Sequence, residues 1–312
     1  MKKSIALVAL AFGVTSAFAQ DLTSKKGEPI LPEAGDWGLA IDATPFLNYA
    51  GNVFGKTANN VAPTWNFFTT AQTISGRYFK DASTVYRGSL RIGTGSTSKR
   101  NMVADLTPVT AGSQTVFPNA MPMKENVWKS SSSTIGLAAG IEMRKGKTRL
   151  QGYYGGEAGL YLNMGKEKFT YGNALVASTT GSAQVNVSAA DAFAGSGNYV
   201  AAGAPIQGIN GSARATEIKN GTTISFGLRG FIGAEYFVLP KMSIGGEFGW
   251  GLGLSSTGKS KTTWESIGGP GTTPTVGTTT IEGAKNGGFA LDTDGNNSVW
   301  GPTGSLRLNL YF

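Results

Sequence analysis

Histidine and cysteine are absent from the 312 residues, and only 15% of the chain is charged. Any chemistry must therefore come from carboxylates, guanidiniums, amines and hydroxyls. Five acids, Asp42, Glu142, Glu157, Glu235 and Glu247, sit at positions that alternate with apolar residues. Five arginines, Arg77, Arg87, Arg91, Arg229 and Arg307, occupy positions of the same kind. Paired carboxylates perform acid–base work when their surroundings push their pKa values apart. Arginines close by oppose this by holding every carboxyl ionised. Without histidine the commonest general base and transition-metal ligand are missing. Without cysteine there is no thiolate nucleophile, thiolate zinc site or disulfide framework. Equal numbers of both signs predict ion pairing instead of catalysis, so the expectation is a non-enzymatic protein with no cofactor. Asp292–Asn297 alternates oxygen-bearing side chains as the front of a calcium loop does. The twelfth position, where such a loop needs Glu, is Thr303. A polar turn is expected there, with no metal.

Ten scattered charges can meet only if strands bring them to one side. Alternation with period 2 marks eight strands. They are Asp36–Tyr49, Thr73–Phe79, Val85–Gly95, Ser133–Arg144, Arg149–Asn163, Thr223–Val238, Met242–Leu254 and Trp300–Phe312. In the last, Leu306, Leu308, Leu310 and Phe312 share one face, while Arg307, Asn309 and Tyr311 share the other. Short polar turns at 80–84, 145–148 and 239–241 join three pairs of strands as hairpins. Long connections near 50–72, 96–132, 164–222 and 255–299 join the rest. Gln184–Ser188 and Thr278–Ile281 are the candidates for a ninth and a tenth strand. A soluble sandwich would put its apolar faces inward. Here the smaller, polar set carries charges of both signs, which suits the lumen of a membrane barrel.

Met1–Ala19 has the form of a secretory signal peptide: Lys2 and Lys3, an apolar run over Ile5–Val14, and Ala17-Phe18-Ala19 before Gln20. No later run approaches the length of a membrane-spanning helix. The ending Leu308-x-Leu310-x-Phe312 resembles the C-terminal assembly signal of Gram-negative outer-membrane barrels. The whole pattern is similar to the small OmpA/OmpX-like barrels, without the periplasmic domain that OmpA-type proteins append. The resemblance implies an all-β, transmembrane, up-and-down antiparallel barrel over 36–312, located in the outer membrane. It also implies insertion by the barrel-assembly machinery, with outer-membrane lipid and lipopolysaccharide as neighbours. Residues 20–35 read as an extended linker on the periplasmic side.

An eight-stranded barrel holds side chains and little else, so a lumen plugged by salt bridges is expected. Function would then lie in loop contacts, for envelope structure, adhesion or membership of an outer-membrane complex. A narrow channel for small solutes or ions is the alternative. Trp65, Phe67 and Phe68 are apolar residues in a long connection, available for a contact or for a cap over the barrel. The formal charge of +8 is not gathered into a basic run. Nucleic acid is therefore not an expected partner, and scattered lysines meeting anionic lipopolysaccharide are the simpler reading.

Overall fold

The computed structural model of the chain describes residues 22–42, 52–55, 74–106, 122–177, 185–203, 209, 211–268, 274–293 and 305–312. They form one antiparallel sheet of twelve strands. In chain order these are β1 (Trp37–Asp42), β2 (Ile74–Phe79), β3 (Thr84–Ala104), β4 (Met123–Lys145), β5 (Leu150–Thr170) and β6 (Tyr199–Val200). There follow β7 (Ala213–Leu239), β8 (Met242–Thr257), β9 (Lys261–Gly268), β10 (Thr275–Glu282), β11 (Asn286–Thr293) and β12 (Ser305–Tyr311). Among the described residues no helix is long and apolar enough to cross a membrane.

Pairing runs β1–β2–β3–β4–β5–β7–β8–β12, and β12 pairs again with β1. The eight strands read from alternation are the members of this circuit. Ala43–Tyr49, Thr73 and Trp300–Gly304, which the reading included, lie outside the described residues.

Four strands run much further than the apolar alternation indicates. β3 and β4 stay paired from Thr84↔Met143 to Ala104↔Met123, and β5 and β7 continue beside them to Lys168↔Glu217. Residues 96–104, 123–132, 164–170 and 213–222, expected as connections, are therefore strand. Both faces are largely polar there, so the hydrophobic alternation fades while the backbone ladder continues. The connection expected at 255–299 holds a hairpin of β9 and β10, paired from Lys261↔Glu282 to Thr275↔Gly268. Thr278–Ile281 belongs to this hairpin and does not join the circuit. Of Gln184–Ser188, Val185 forms only an isolated bridge with Val176. β11 lies along one half of β8, from Asn286↔Thr257 to Thr293↔Trp250. β12 lies along the other half, from Ser305↔Glu247 to Leu310↔Met242.

Register lines up similar side chains across the strands. Leu90, Leu137, Leu160, Phe226 and Leu254 form one rung, and Ile92, Ile135, Leu162 and Ile224 form the next. Leu90, Ile92, Leu137, Leu160, Phe226 and Leu254 are exposed. The arrangement inverts that of a soluble core: in β8 the Phe248 ring is 62% exposed while its neighbour Glu247 is 1% exposed.

Two apolar cores lie apart from that face. At the end with the short turns, Ile30 packs with Phe79, Val85, Phe237 and Tyr311, with Leu22 and Leu31 alongside. Residues 22–36 thus fold against the strands instead of hanging free as a linker. The Ile30 N–H donates to the Leu22 carbonyl at 2.8 Å, and the Gly35 N–H to the Phe79 carbonyl at 2.8 Å. The second core gathers Phe169, Phe193, Ala213, Ala215 and Trp264 among the strand extensions.

Candidate functional site

Alternation sends every second side chain of the circuit to its enclosed face, and seven strands deliver charge there. Glu235 of β7 accepts from Arg77 of β2 (3.2 Å), from Ser243 of β8 (2.9 Å), and from Asn309 (3.0 Å) and Tyr311 (2.9 Å) of β12. Arg144 of β4 also pairs with Glu235. Glu142 of β4 is flanked by Arg144 at 2.9 Å, Arg77 at 3.2 Å and Arg87 at 3.6 Å. Glu247 of β8 receives Arg229 at 2.7 Å, Arg87 at 2.9 Å and Arg307 at 3.4 Å. Glu157 of β5 lies 2.9 Å from Arg229 and 3.8 Å from Arg87. The pairs share members, so Glu157, Arg229, Glu247, Arg87, Glu142, Arg77, Glu235 and Arg144 are one connected network.

Ionised groups out of water are costly singly and tolerable when each has partners. Aromatic rings supply further support. The Arg87 guanidinium lies 4.0 Å from the Phe231 ring centroid and that of Arg77 5.2 Å from Tyr153. Cations favour such ring faces.

Eight of the ten charged residues predicted to face inward are thereby brought together: Arg77, Arg87, Glu142, Glu157, Arg229, Glu235, Glu247 and Arg307. Arg91 is buried on the same face. The Asp42 side chain lies outside the described residues. Arg144, Ser243, Asn309 and Tyr311 are members that the sequence reading did not assign. Arg144 shares the parity of Glu142, and Asn309 and Tyr311 share that of Arg307, so parity was the available signal.

A second buried polar cluster lies beside the apolar core of the extensions. The Arg214 guanidinium donates to Asp191 (3.1 Å), Glu265 (2.7 Å) and the Asn173 carbonyl (2.7 Å). It also lies 4.0 Å from the Tyr171 ring centroid. Asn126 of β4 donates to Asp191 at 3.2 Å and accepts from the Gly172 N–H at 2.9 Å. Asn198 donates to Tyr171 Oη at 3.0 Å and to the Asp191 carbonyl at 2.7 Å. Burial pushes the Tyr171 hydroxyl up, so it stays a proton donor. These contacts tie residues 171–177 and 185–203, expected as loop, to β4, β7 and β9 as a folded head.

Leu308 is half-buried, and Leu310 and Phe312 are exposed, with Leu310 paired to Leu39. Residues 1–19, Trp65, Phe67, Phe68 and 294–297 lie outside the described residues. Among the described residues no three carboxylates converge to hold a metal ion.

Comparison with family models, with curated proteins and with solved structures gives no match in any of the three.

Proposed function

We infer that the chain is an eight-stranded outer-membrane β-barrel of a Gram-negative bacterium, resembling the small OmpA/OmpX-like barrels. One observation carries the reading: large apolar side chains face outward while a network of arginines and glutamates is buried within. In water this distribution would expose a broad apolar surface; in a bilayer both faces are satisfied. The dimensions agree. Ile244 to Leu254 is ten steps, about 33 Å along the strand, or about 25 Å at a tilt of about 40°. An outer-membrane apolar band is about 25 Å tall.

Catalysis gains no support, because each network carboxylate is held by arginines. Conduction requires water where the ion pairs sit, and the packed segment at 22–36 covers the turn end. The barrel therefore acts through its folded head, in envelope structure, adhesion or an outer-membrane complex.

Reconstitution into vesicles tests this. Folded barrel should migrate anomalously on unheated gels, resist protease below the head, and give an inert planar-bilayer record. Discrete conductance steps would replace this reading with the channel. Failure to insert would remove the barrel itself.

A further inference from the structure

Two features of the outward face fall on the same strands. The first is a pair of cationic rungs just beyond the apolar side chains. In one rung Lys166 of β5, Lys219 of β7 and Lys261 of β9 lie side by side. In the next, Lys129 of β4 lies beside Lys168 of β5. All five lysines are exposed. The carboxylates in these rungs are Glu217, paired with Lys166 and with Lys219 at 2.9 Å, and Glu282, 2.8 Å from Lys261. Five cations against two acids leave an excess of positive charge.

The second feature is a groove of about 950 Å³ lower on the same wall. Its floor is made of small residues that register brings together: Ala139↔Ala158 and Gly156↔Gly230. Ile141, Leu228 and Trp250 rise around it. A Cβ on Gly156 would meet nothing closer than 3.7 Å, so the floor is open. From Ala158 to Lys166 is eight steps along β5, about 26 Å, or about 20 Å in height at a tilt of about 40°. One leaflet of hydrocarbon is about 15 Å deep, half of the roughly 30 Å bilayer core. The headgroup region adds about 5–7 Å per leaflet, so a chain whose phosphates rest at the lysine rungs would bring its end to the groove.

We propose that this wall holds one phosphorylated, multiply acylated lipid of the outer leaflet, with phosphates on the lysine rungs and an acyl chain in the groove. The inference rests on the barrel reading and names the lipid class that its outer wall selects. Positive charge at headgroup height attracts anionic lipid, and the groove adds a shape requirement that a free anion cannot meet.

The test titrates purified protein in neutral detergent with three probes: diphosphoryl lipid A, the same lipid with both phosphates removed, and inorganic pyrophosphate. Native mass spectrometry and calorimetry read the binding. Lipid A is expected to bind at least about tenfold tighter than either other probe. The combined Lys129→Gln, Lys166→Gln, Lys168→Gln and Lys219→Gln variant should lose that advantage. Gly156→Leu with Ala158→Leu, which fills the groove, should weaken lipid A binding and leave pyrophosphate unchanged. Equal binding of lipid A to wild type and the lysine variant overturns the proposal, as does equal binding of the dephosphorylated lipid. Pyrophosphate binding as tightly as lipid A overturns the lipid as occupant. Vesicle insertion is followed in parallel: protein that does not insert sinks the barrel reading and this inference together. Protein that inserts without preferring lipid A sinks this inference alone.

Discussion

The backbone N–H of Lys241 donates to the carbonyl of Ile30 at 3.0 Å, while the Lys241 carbonyl accepts from the Tyr311 N–H at 2.8 Å. One turn residue therefore joins the segment at 22–36 to the closing strand. Lys241 has φ 52°, in the left-handed region that non-glycine residues visit at some cost. The two hydrogen bonds offset it. Ile30→Ala should remove about 2–4 kcal/mol of local packing. Hydrogen exchange at the Lys241 amide should rise strongly while the β4–β5 ladder stays protected. An unchanged exchange rate would show that Ile30 does not anchor the segment.

The same turn carries a pH-sensitive contact. Lys241 Nζ stands 2.8 Å from Asp36. Burial raises the Asp36 carboxyl, but the Lys241 ammonium and the Glu33 N–H outweigh it and hold the group below its ordinary value. A lowered carboxyl stabilises above its unfolded pKa of about 3.9 and loses that contribution as pH falls through the folded value. Protection of the Lys241 amide, corrected for intrinsic exchange, should fall below about pH 4. Asp36→Asn should show no such step.

Glu247 is the acid shared by Arg87, Arg229 and Arg307. Glu247→Ala leaves three enclosed cations without that partner and should cost about 3–5 kcal/mol. Urea unfolding in detergent measures it. Glu125→Ala, which removes the exposed partner of Arg100, should cost less than about 1 kcal/mol. Similar losses in both would argue against an enclosed network.

In the head, Asp191→Ala takes away the acceptor of Arg214 and Asn126. Limited proteolysis should then cut within residues 185–203 at a rate at least tenfold higher, reflecting about 1.4 kcal/mol or more of easier local opening. Cleavage at the wild-type rate would mean that the cluster does not hold the head.

Three glycines give way to tyrosines across the ladder. Gly38 pairs with Tyr311, Gly136 with Tyr161, and Gly233 with Tyr153. A Cβ on Gly38 would stand 2.6 Å from the Tyr311 ring, one on Gly136 2.4 Å from the Tyr161 ring, and one on Gly233 2.4 Å from the Tyr153 ring. Gly233→Ala should cost about 1–3 kcal/mol by displacing that ring. In a Tyr153→Ala background, which removes the ring, Gly233→Ala should cost less. An equal cost there would place the strain elsewhere.

What could be read in advance follows the physics of alternation. The eight strands of the circuit are legible because one face must be apolar and the other must not. Their extensions are not, since residues such as Ser130–Ser132 of β4 are polar toward both sides and differ from a loop only by the ladder. Most of the enclosed charges follow from parity alone. Arg144 escapes because it sits at a strand end beside a turn, where a surface position is the ordinary expectation. Ile30 and Leu31 give little warning of a core, being two apolar residues between Pro29 and Pro32. Arg214 and Asp191 meet through folding of a long connection, and no local pattern announces such a pair.

The packing of Ile30 on Tyr311 also sets an order of events. Its socket needs side chains from β2, β3, β7 and β12, so it does not exist until the closing strand has been laid in place. Docking of residues 22–36 is thus a late step, coupled to completion of the wall. A chain stalled before that point would show its early segment to any protease on that side, and a finished one would not.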